Sequence, residues 1–171
     1  AWMSSTYEWG RMYLAIRQAN IAIERLPTST FTDDELRNRL LGEAHFLRAY
    51  YYHQLMRFYG GVPLIDRPYG LNEDYAVSRN TFEETVNFIV SDLDQAANLL
   101  DGKSEARGRA NKLAAMALKA RVSVYAASDL HDGPTVKANS STLGSIANLE
   151  LVAYPSGAQT TRWNAAKTAA K

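Results

Sequence analysis

Apolar residues recur at intervals of three and four along almost the whole chain, and this spacing is the feature that most constrains its fold. It places apolar side chains on one face of an α-helix, whereas a half-buried strand needs strict alternation, which is almost absent. Together with helix-end signals, it predicts helices over residues 5–26, 33–59, 81–101 and 111–128, and a fifth beginning at Trp163. The predicted fold class is therefore all-α.

Local motifs mark the ends of these helices. Thr81 and Glu84 have the spacing of a capping box, in which each residue satisfies a backbone amide at the start of the helix. Thr32 and Glu35 repeat this spacing before the second helix. The glycine pair at residues 60–61 supplies the backbone freedom that closes a helix, and we expect the second helix to end there.

Two stretches interrupt the helical pattern. The first follows the glycine pair, and its apolar Val62, Leu64 and Ile65 are expected to dock against the helices while residues 69–76 stay exposed. The second, residues 129–162, is rich in serine, threonine, proline and glycine. It is predicted to be a long loop with a short helical turn.

The order of the elements indicates helical repeats. The first helix with the second, and the third with the fourth, make two antiparallel pairs of degenerate tetratricopeptide-like type, joined by long irregular loops. We expect residues 1–171 to form a single helical domain. The closing sequence RWNAAKTAAK begins a helical pattern with nothing after it to pack against, so we expect the chain to be an excerpt of a longer protein.

Composition excludes several classes of function. Nineteen basic and eighteen acidic residues give a net charge of +1, so no strong field favours nucleic acid. The chain has no cysteine, which excludes disulfides, thiolate metal sites and cysteine nucleophiles. No apolar run approaches the roughly 20 residues that a membrane span needs.

An unusual run of aromatic residues lies in the second helix. Tyr50, Tyr51 and Tyr52 are consecutive, so their side chains point in directions about 100° apart and cannot form one binding platform. We predict that these rings pack between helices. Charged residues of the same region are expected to join helices through hydrogen bonds rather than to act as a catalytic acid and base. These residues are Glu43, Arg48, Arg57 and Arg121.

Catalytic and metal-binding motifs are sparse. The chain has no metalloprotease helix motif, phosphate-binding glycine loop or nucleophile elbow. Asp129, His131 and Asp132 are close enough in sequence to suggest metal ligands, and closely spaced oxygen ligands suit calcium, but a turn after the fourth helix is the favoured interpretation. No catalytic residue, metal site or cofactor is predicted.

Three blocks of sequence carry a resemblance to a known family. They are LLGEAHFLRAYYYHQLMRFYGGVPLI (Leu40 to Ile65), SRNTFEETVNFIVSDLDQAANLL (Ser78 to Leu100) and GRANKLAAMALKARV (Gly108 to Val122). In order and separation they resemble the amino-terminal, tetratricopeptide-like portion of the SusD/RagB family. The resemblance covers nearly the whole chain except residues 129–162.

The resemblance implies a non-enzymatic, cell-surface lipoprotein of the outer membrane. Such a protein captures an oligosaccharide or polysaccharide and passes it to a SusC-like TonB-dependent transporter. Members are longer than this chain, so a lipid anchor would lie outside it and would be its only link to the membrane. The family's sugar-binding platform includes the segment upstream of the first helix, which makes Trp2 a candidate ligand contact.

Loop chemistry alone suggests three further ligand contacts: Tyr69, Asn72 and Tyr75, which lie between polar neighbours. Two rival functions stay open at this point. A tetratricopeptide-like scaffold would bind another protein without binding sugar. A glycoside hydrolase would need two carboxylates roughly 5–10 Å apart in one pocket, which is not expected of helical repeats without a deep cleft.

Overall fold

A computed structural model describes residues 8–30, 32–103 and 107–171 of the chain. The helices are α1 (Trp9–Arg25), α2 (Asp34–Tyr59), α3 (Phe82–Leu99), α4 (Lys112–Ala127), α5 (Gly133–Asn139), α6 (Ser141–Gly144) and α7 (Gln159–Ala169). In these described ranges the extended pairing is limited to a single bridge between Asp132 and Tyr154. The all-α prediction is confirmed.

The long helices pack as successive antiparallel neighbours. The start of α1 meets the end of α2, where the rings of Trp9 and Tyr59 lie 5.0 Å apart. The start of α2 meets the end of α3 so closely that a methyl group at Gly42 would lie 2.8 Å from Leu100 Cγ. Helix α4 then packs between α3 and α7. This layering is the tetratricopeptide-like arrangement that the sequence predicts.

Several helix ends differ from the predicted ones. Glu8 is extended, so α1 begins at Trp9, and the predicted start at residue 5 lies outside the described residues. The side chain of Asp33, not that of Thr32, caps α2 by accepting a hydrogen bond from Leu36 N at 2.9 Å. The residue at the cap is set by the backbone conformation, and the extended Asp33 directly precedes the first helical residue. The capping box at α3 is confirmed as predicted.

The last third of the chain is more regular than predicted. In place of one long loop, it contains α5, α6 and two short 3₁₀ turns, at Asp129–His131 and Leu149–Leu151. Side chains cap both short helices, Asp132 for α5 and Ser140 for α6. Helix α7 begins at Gln159, four residues before the predicted start. Helices this short show no apolar periodicity, which is why the sequence pattern missed them.

The core is formed where α1–α4 face one another. Helix α3 buries the predicted face, which comprises Phe82, Val86, Ile89, Leu93, Ala96 and Leu100. Helix α2 does not bury the single apolar stripe that a spacing of three and four predicts, because Leu47 and Phe58 are exposed while His53 and Gln54 are buried. Contact with α1 on one side and α3 on the other buries most of the circumference of α2, polar positions included.

A helix must be both long and strongly apolar to cross a bilayer. No helix within residues 8–30, 32–103 and 107–171 meets both requirements.

Candidate functional site

The apolar segment after α2 is docked as predicted. Val62 is fully buried, and the side chains of α1 and α2 hold the residues that follow it. Tyr52 Oη accepts a hydrogen bond from Ile65 N at 2.7 Å and lies 3.1 Å from Ile65 O, to which it donates. Tyr13 Oη donates to Pro63 O at 2.7 Å. These bonds satisfy the backbone of an extended segment that has no neighbouring strand.

A buried polar network continues from this segment into the helices. Arg48 contacts both carboxylate oxygens of Asp92 at 2.7 Å and also donates to Asn20 Oδ1 and to Asp66 O, at 2.8 and 3.0 Å. His45 Nδ1 lies 2.7 Å from Asp92 Oδ1. Arg48 thereby joins α2 to α1, to α3 and to the start of the loop, in agreement with its predicted role.

Glu43 and Arg57 were also predicted to join helices, and the structure gives them different partners. Glu43 forms a two-pronged ion pair with Arg109, which lies just before α4, so it does join separate elements. Arg57 donates to Gln54 on its own helix, and within the described residues it forms no ion pair. The joining role predicted for Arg57 is therefore not seen, because its side chain lies on an exposed side of α2.

The carboxyl-terminal end of the segment between α2 and α3 is also held in place by hydrogen bonds from residues just before α3. Arg79 donates to Gly61 O and Tyr59 O at 2.8 and 2.5 Å, and Asn80 Oδ1 accepts from Leu64 N at 3.0 Å. With both ends anchored, residues 67–78 form a loop that projects from the helices.

The projecting loop is closed by its own polar contacts. Arg67 and Glu73 form an ion pair at 2.7 Å, and Gly70 N donates to Glu73 Oε1 at 3.0 Å. The hydrogen bond from Arg67, followed by that from Gly70, lowers the pKa of Glu73. Tyr75 Oη donates to Gly70 O at 2.5 Å, and Arg17 of α1 donates to Tyr69 O at 3.0 Å.

The loop brings two of the predicted ligand contacts together. The rings of Tyr69 and Tyr75 lie 5.7 Å apart at an interplanar angle of 82°, and the guanidinium carbon of Arg67 lies 4.8 Å from the centre of the Tyr69 ring. Tyr75 is 58% exposed and Asn72 is also exposed, whereas Tyr69 is half-buried. Trp2 lies outside the described residues. The sequence analysis did not select Arg67 as part of the site. Its position just before the aromatic residues of the loop was the feature that pointed to it.

The aromatic run of α2 belongs to the core. Tyr52 is fully buried, with its ring 5.1 Å from that of Phe88. Tyr50 and Tyr51 are partly buried and pack against the same core cluster. The prediction that these rings pack between helices rather than form a binding platform agrees with this arrangement.

Each of the three residues considered as calcium ligands forms hydrogen bonds or an ion pair with other residues of the protein. Asp129 Oδ1 accepts from Gln159 at 2.5 Å, and His131 Nδ1 donates to Val152 O at 2.7 Å. Burial lowers the pKa of His131, in keeping with a neutral ring. Asp132 caps α5 and pairs with Arg162. These contacts fit the turn interpretation, and no group of three ligating side chains suited to a metal is found within the described ranges.

A groove of about 680 Å³ lies between α3, α4 and α7. Its two carboxylates, Glu83 and Asp94, lie three turns apart on α3, roughly 16 Å of helix rise. Asp94 is also paired with Lys119 at 2.6 Å. The groove therefore lacks the facing carboxylates, roughly 5–10 Å apart, of a glycoside hydrolase.

Comparison with known proteins identifies the family. The sequence model of a SusD-like family, described as starch-binding and associating with the outer membrane, matches residues 2–124. The chain belongs to the SusD-like family. The matched residues include α1, α2, α3, the projecting loop and all but the last three residues of α4, whereas α5, α6 and α7 lie beyond them.

Individual SusD-like proteins agree with this assignment. One from Formosa agariphila is 34% identical over 119 residues, which is 69% of this chain and 23% of that protein. One from Bacteroides ovatus is 30% identical over 116 residues, 67% of this chain and 21% of that protein. The chain thus spans about a quarter of the length of these relatives.

Solved SusD-like structures show the same fold. A SusD-like protein of Bacteroides fragilis has a TM-score of 0.66 at 33% identity, covering 82% of this chain and 26% of that one. A laminarin-binding SusD-like protein also has a TM-score of 0.66, at 27% identity, covering 79% of this chain and 29% of that one. The resemblance seen in the sequence is confirmed at the level of the family.

Proposed function

We propose that this chain forms a helical domain of a glycan-capturing protein at the bacterial cell surface. The observation that carries the proposal is the family match over residues 2–124, which spans the docked segment and the projecting loop as well as α1–α3 and most of α4. The family is described as starch-binding, and one structural neighbour is named as laminarin-binding. Both glycans are uncharged glucans.

The captured oligosaccharide is proposed to pass to a SusC-like TonB-dependent transporter. The family's association with the outer membrane supports a location next to such a transporter. The attachment to the membrane is proposed to be a lipid anchor outside this chain. The role of the helical layers is then to hold the capture loops in a fixed orientation.

The proposed ligand contacts are Trp2, Tyr69, Asn72 and Tyr75. The ring contact between two of them, Tyr69 and Tyr75, on the projecting loop supports this proposal. Aromatic rings offer apolar faces for sugar C–H groups, and tyrosine hydroxyls and amides add hydrogen bonds. No cofactor takes part in this function.

The protein is proposed to bind glycans without cleaving them. Supporting this, the carboxylates of the groove between α3, α4 and α7 lie too far apart on one helix to act on one glycosidic bond.

A second candidate function is protein binding without sugar binding. It is favoured by a groove of about 680 Å³ between α1 and α2, lined largely by small and apolar side chains that include Ala19, Ala44 and Leu47. Helical repeats use such grooves to bind other chains.

A binding screen of the full-length protein against soluble polysaccharides tests the proposal. We expect calorimetry to detect at least one glycan and product analysis to detect no shortening of it. Absence of binding across a broad panel would leave the scaffold function as the better explanation. Release of shorter oligosaccharides would contradict the non-enzymatic assignment.

A further inference from the structure

The projecting loop carries a more specific inference than glycan capture in general. We infer that residues 67–75 form a preformed subsite for an uncharged sugar ring. Tyr75 provides the stacking surface, and the Arg67–Glu73 ion pair holds Tyr75 in position. This inference rests on the proposed function.

The loop is ordered by contacts across itself before any ligand arrives. The ion pair between Arg67 and Glu73 joins the two sides of the loop. The amide of Gly70 donates a hydrogen bond to Glu73, and its carbonyl accepts one from Tyr75. Arg17 fixes the loop to α1 through Tyr69 O. A loop held in this way loses little conformational entropy when a ligand binds, which favours affinity at a small surface.

The two rings have different roles in this geometry. Tyr69 is half-buried, and the guanidinium of Arg67 lies over its ring, so one of its faces is already covered. Tyr75 is 58% exposed, and its hydroxyl is tied to Gly70 O, so the ring is both accessible and fixed in direction. Tyr75 therefore offers the stacking face, and Tyr69 supports it edge to face.

The charges around the rings disfavour an acidic ligand. The loop region has three carboxylates, Asp66, Glu73 and Asp74, against one arginine, Arg67. Arg67 is already paired with Glu73, whereas Asp66 and Asp74 are exposed and form no ion pair within the described residues. Arg17 brings one further positive charge, already directed at Tyr69 O. A uronate or sulfate group would thus meet more negative than free positive charge.

The test uses the full-length protein and two classes of hexasaccharide. The uncharged probes are those of starch, laminarin, xylan and mannan, and the acidic probe is oligogalacturonate. We expect an uncharged probe to bind at least tenfold more tightly than the acidic one. For the uncharged probe that binds best, Tyr75→Ala should raise Kd about tenfold, while Tyr75→Phe, which keeps the ring, should raise it less than threefold.

Matched controls separate stacking from general damage to the loop. Leu113 lies on α4, outside the inferred subsite, and is 72% exposed, so Leu113→Ala removes an exposed apolar side chain elsewhere and should leave Kd unchanged. Because Tyr75 is exposed, Tyr75→Ala should keep the unfolding midpoint of the wild type. If that midpoint falls, Tyr75→Leu, which keeps apolar bulk without a ring, takes its place and should show the same loss of affinity.

The positioning role of the ion pair has its own readout. An uncharged ligand has no charge for salt to screen, so added sodium chloride should weaken wild-type binding only by loosening the Arg67–Glu73 pair. Glu73→Gln keeps the oxygen that Gly70 N bonds but removes the charge. It should bind about threefold more weakly than the wild type at low salt and should lose the salt dependence, whereas Arg67→Lys should retain it.

The outcomes distinguish the two proposals. A wild type that binds an uncharged glycan while Tyr75→Ala binds equally well overturns the loop subsite and leaves the proposed function intact. A wild type that prefers oligogalacturonate likewise overturns the loop subsite and leaves the proposed function intact. A salt dependence that persists in Glu73→Gln overturns the positioning role. A wild type that binds none of the glycans overturns both the subsite and the proposed function.

Discussion

Arg48 of α2 and Asp92 of α3 form a two-pronged ion pair in the interior, with Nε and a terminal guanidinium nitrogen each 2.7 Å from a different carboxylate oxygen. Both side chains are buried. The same guanidinium donates to Asp66 O, at the start of the projecting loop. The pair therefore links helix packing to the position of the candidate site.

Removing one member of this pair should be costly. Asp92→Asn leaves the Arg48 charge buried without its counter-charge, so we expect the free energy of unfolding to fall by about 3 kcal/mol or more. Chemical denaturation measures the change. The control is Asp94→Asn on the same helix, which breaks a partly exposed pair with Lys119 and should cost about 1 kcal/mol or less. Equal losses for the two variants would contradict the structural role of Asp92.

The hydroxyl of Tyr52 should contribute to stability through the docked segment. Tyr52→Phe removes the acceptor for Ile65 N and should lower the free energy of unfolding by about 1–3 kcal/mol. Tyr51→Phe, at the preceding position, removes a hydroxyl that forms no hydrogen bond to this segment and should change stability by less than about 0.5 kcal/mol. Thermal or chemical unfolding of both variants tests the difference, and an unchanged midpoint for Tyr52→Phe would show that the bond is dispensable.

His53 should make the fold sensitive to mild acid. Burial, followed by the nearby charges of Arg57 and Arg121, lowers the pKa of His53 to about 4. Between this value and the ordinary 6.5, the unfolded chain takes up a proton that the folded chain does not. The stability that the neutral His53 ring contributes is thus complete above pH 6.5 and is lost as the pH falls toward 4, by about 3 kcal/mol in total.

The comparison that isolates this contribution is the pH profile of His53→Gln. The variant lacks the titrating ring, so its free energy of unfolding should decline less steeply between pH 6.5 and 4 than that of the wild type. Carboxylates contribute equally to both profiles and cancel in the difference. Parallel profiles would show that folding does not lower the pKa of His53.

The glycine pair after α2 should tolerate no side chain at its second position. A methyl group at Gly61 would lie 2.1 Å from Asn80 O and 2.7 Å from Thr81 C, both backbone atoms. Gly61→Ala is therefore expected to lower the unfolding temperature strongly or to prevent folding. Gly10→Ala in α1 meets nothing within 4 Å and should raise stability by about 0.5 kcal/mol. A Gly61→Ala variant as stable as the wild type would refute the close approach.

Much of the secondary structure was predictable from residues close together in sequence. The apolar periodicity predicted α3, whose buried face is the predicted one, and the Thr81–Glu84 spacing gave its first turn. The glycine pair marked the end of α2. These features depend on neighbours within about one helical turn, so no knowledge of the rest of the fold is needed to infer them.

Part of the candidate site was also visible in the sequence, but its arrangement was not. Tyr69 and Tyr75 stand out as aromatic residues in a polar loop, yet their ring contact depends on the turn that Arg67 and Glu73 close. The pairing of two charged loop side chains depends on backbone geometry, which spacing alone does not fix. Arg17 enters the site from α1, 52 residues away.

By itself, then, the sequence determined the helical class, the approximate extent of α1–α4 and the family, because these follow from local periodicity and from blocks of characteristic residues. Only the tertiary structure decided that Arg48 pairs with Asp92, that His53 is buried while Leu47 is exposed, and that the last third of the chain folds into short helices. The physical reason is that side-chain burial and pairing depend on how each helix is rotated against its neighbours, and this rotation is set by packing among residues far apart in the chain.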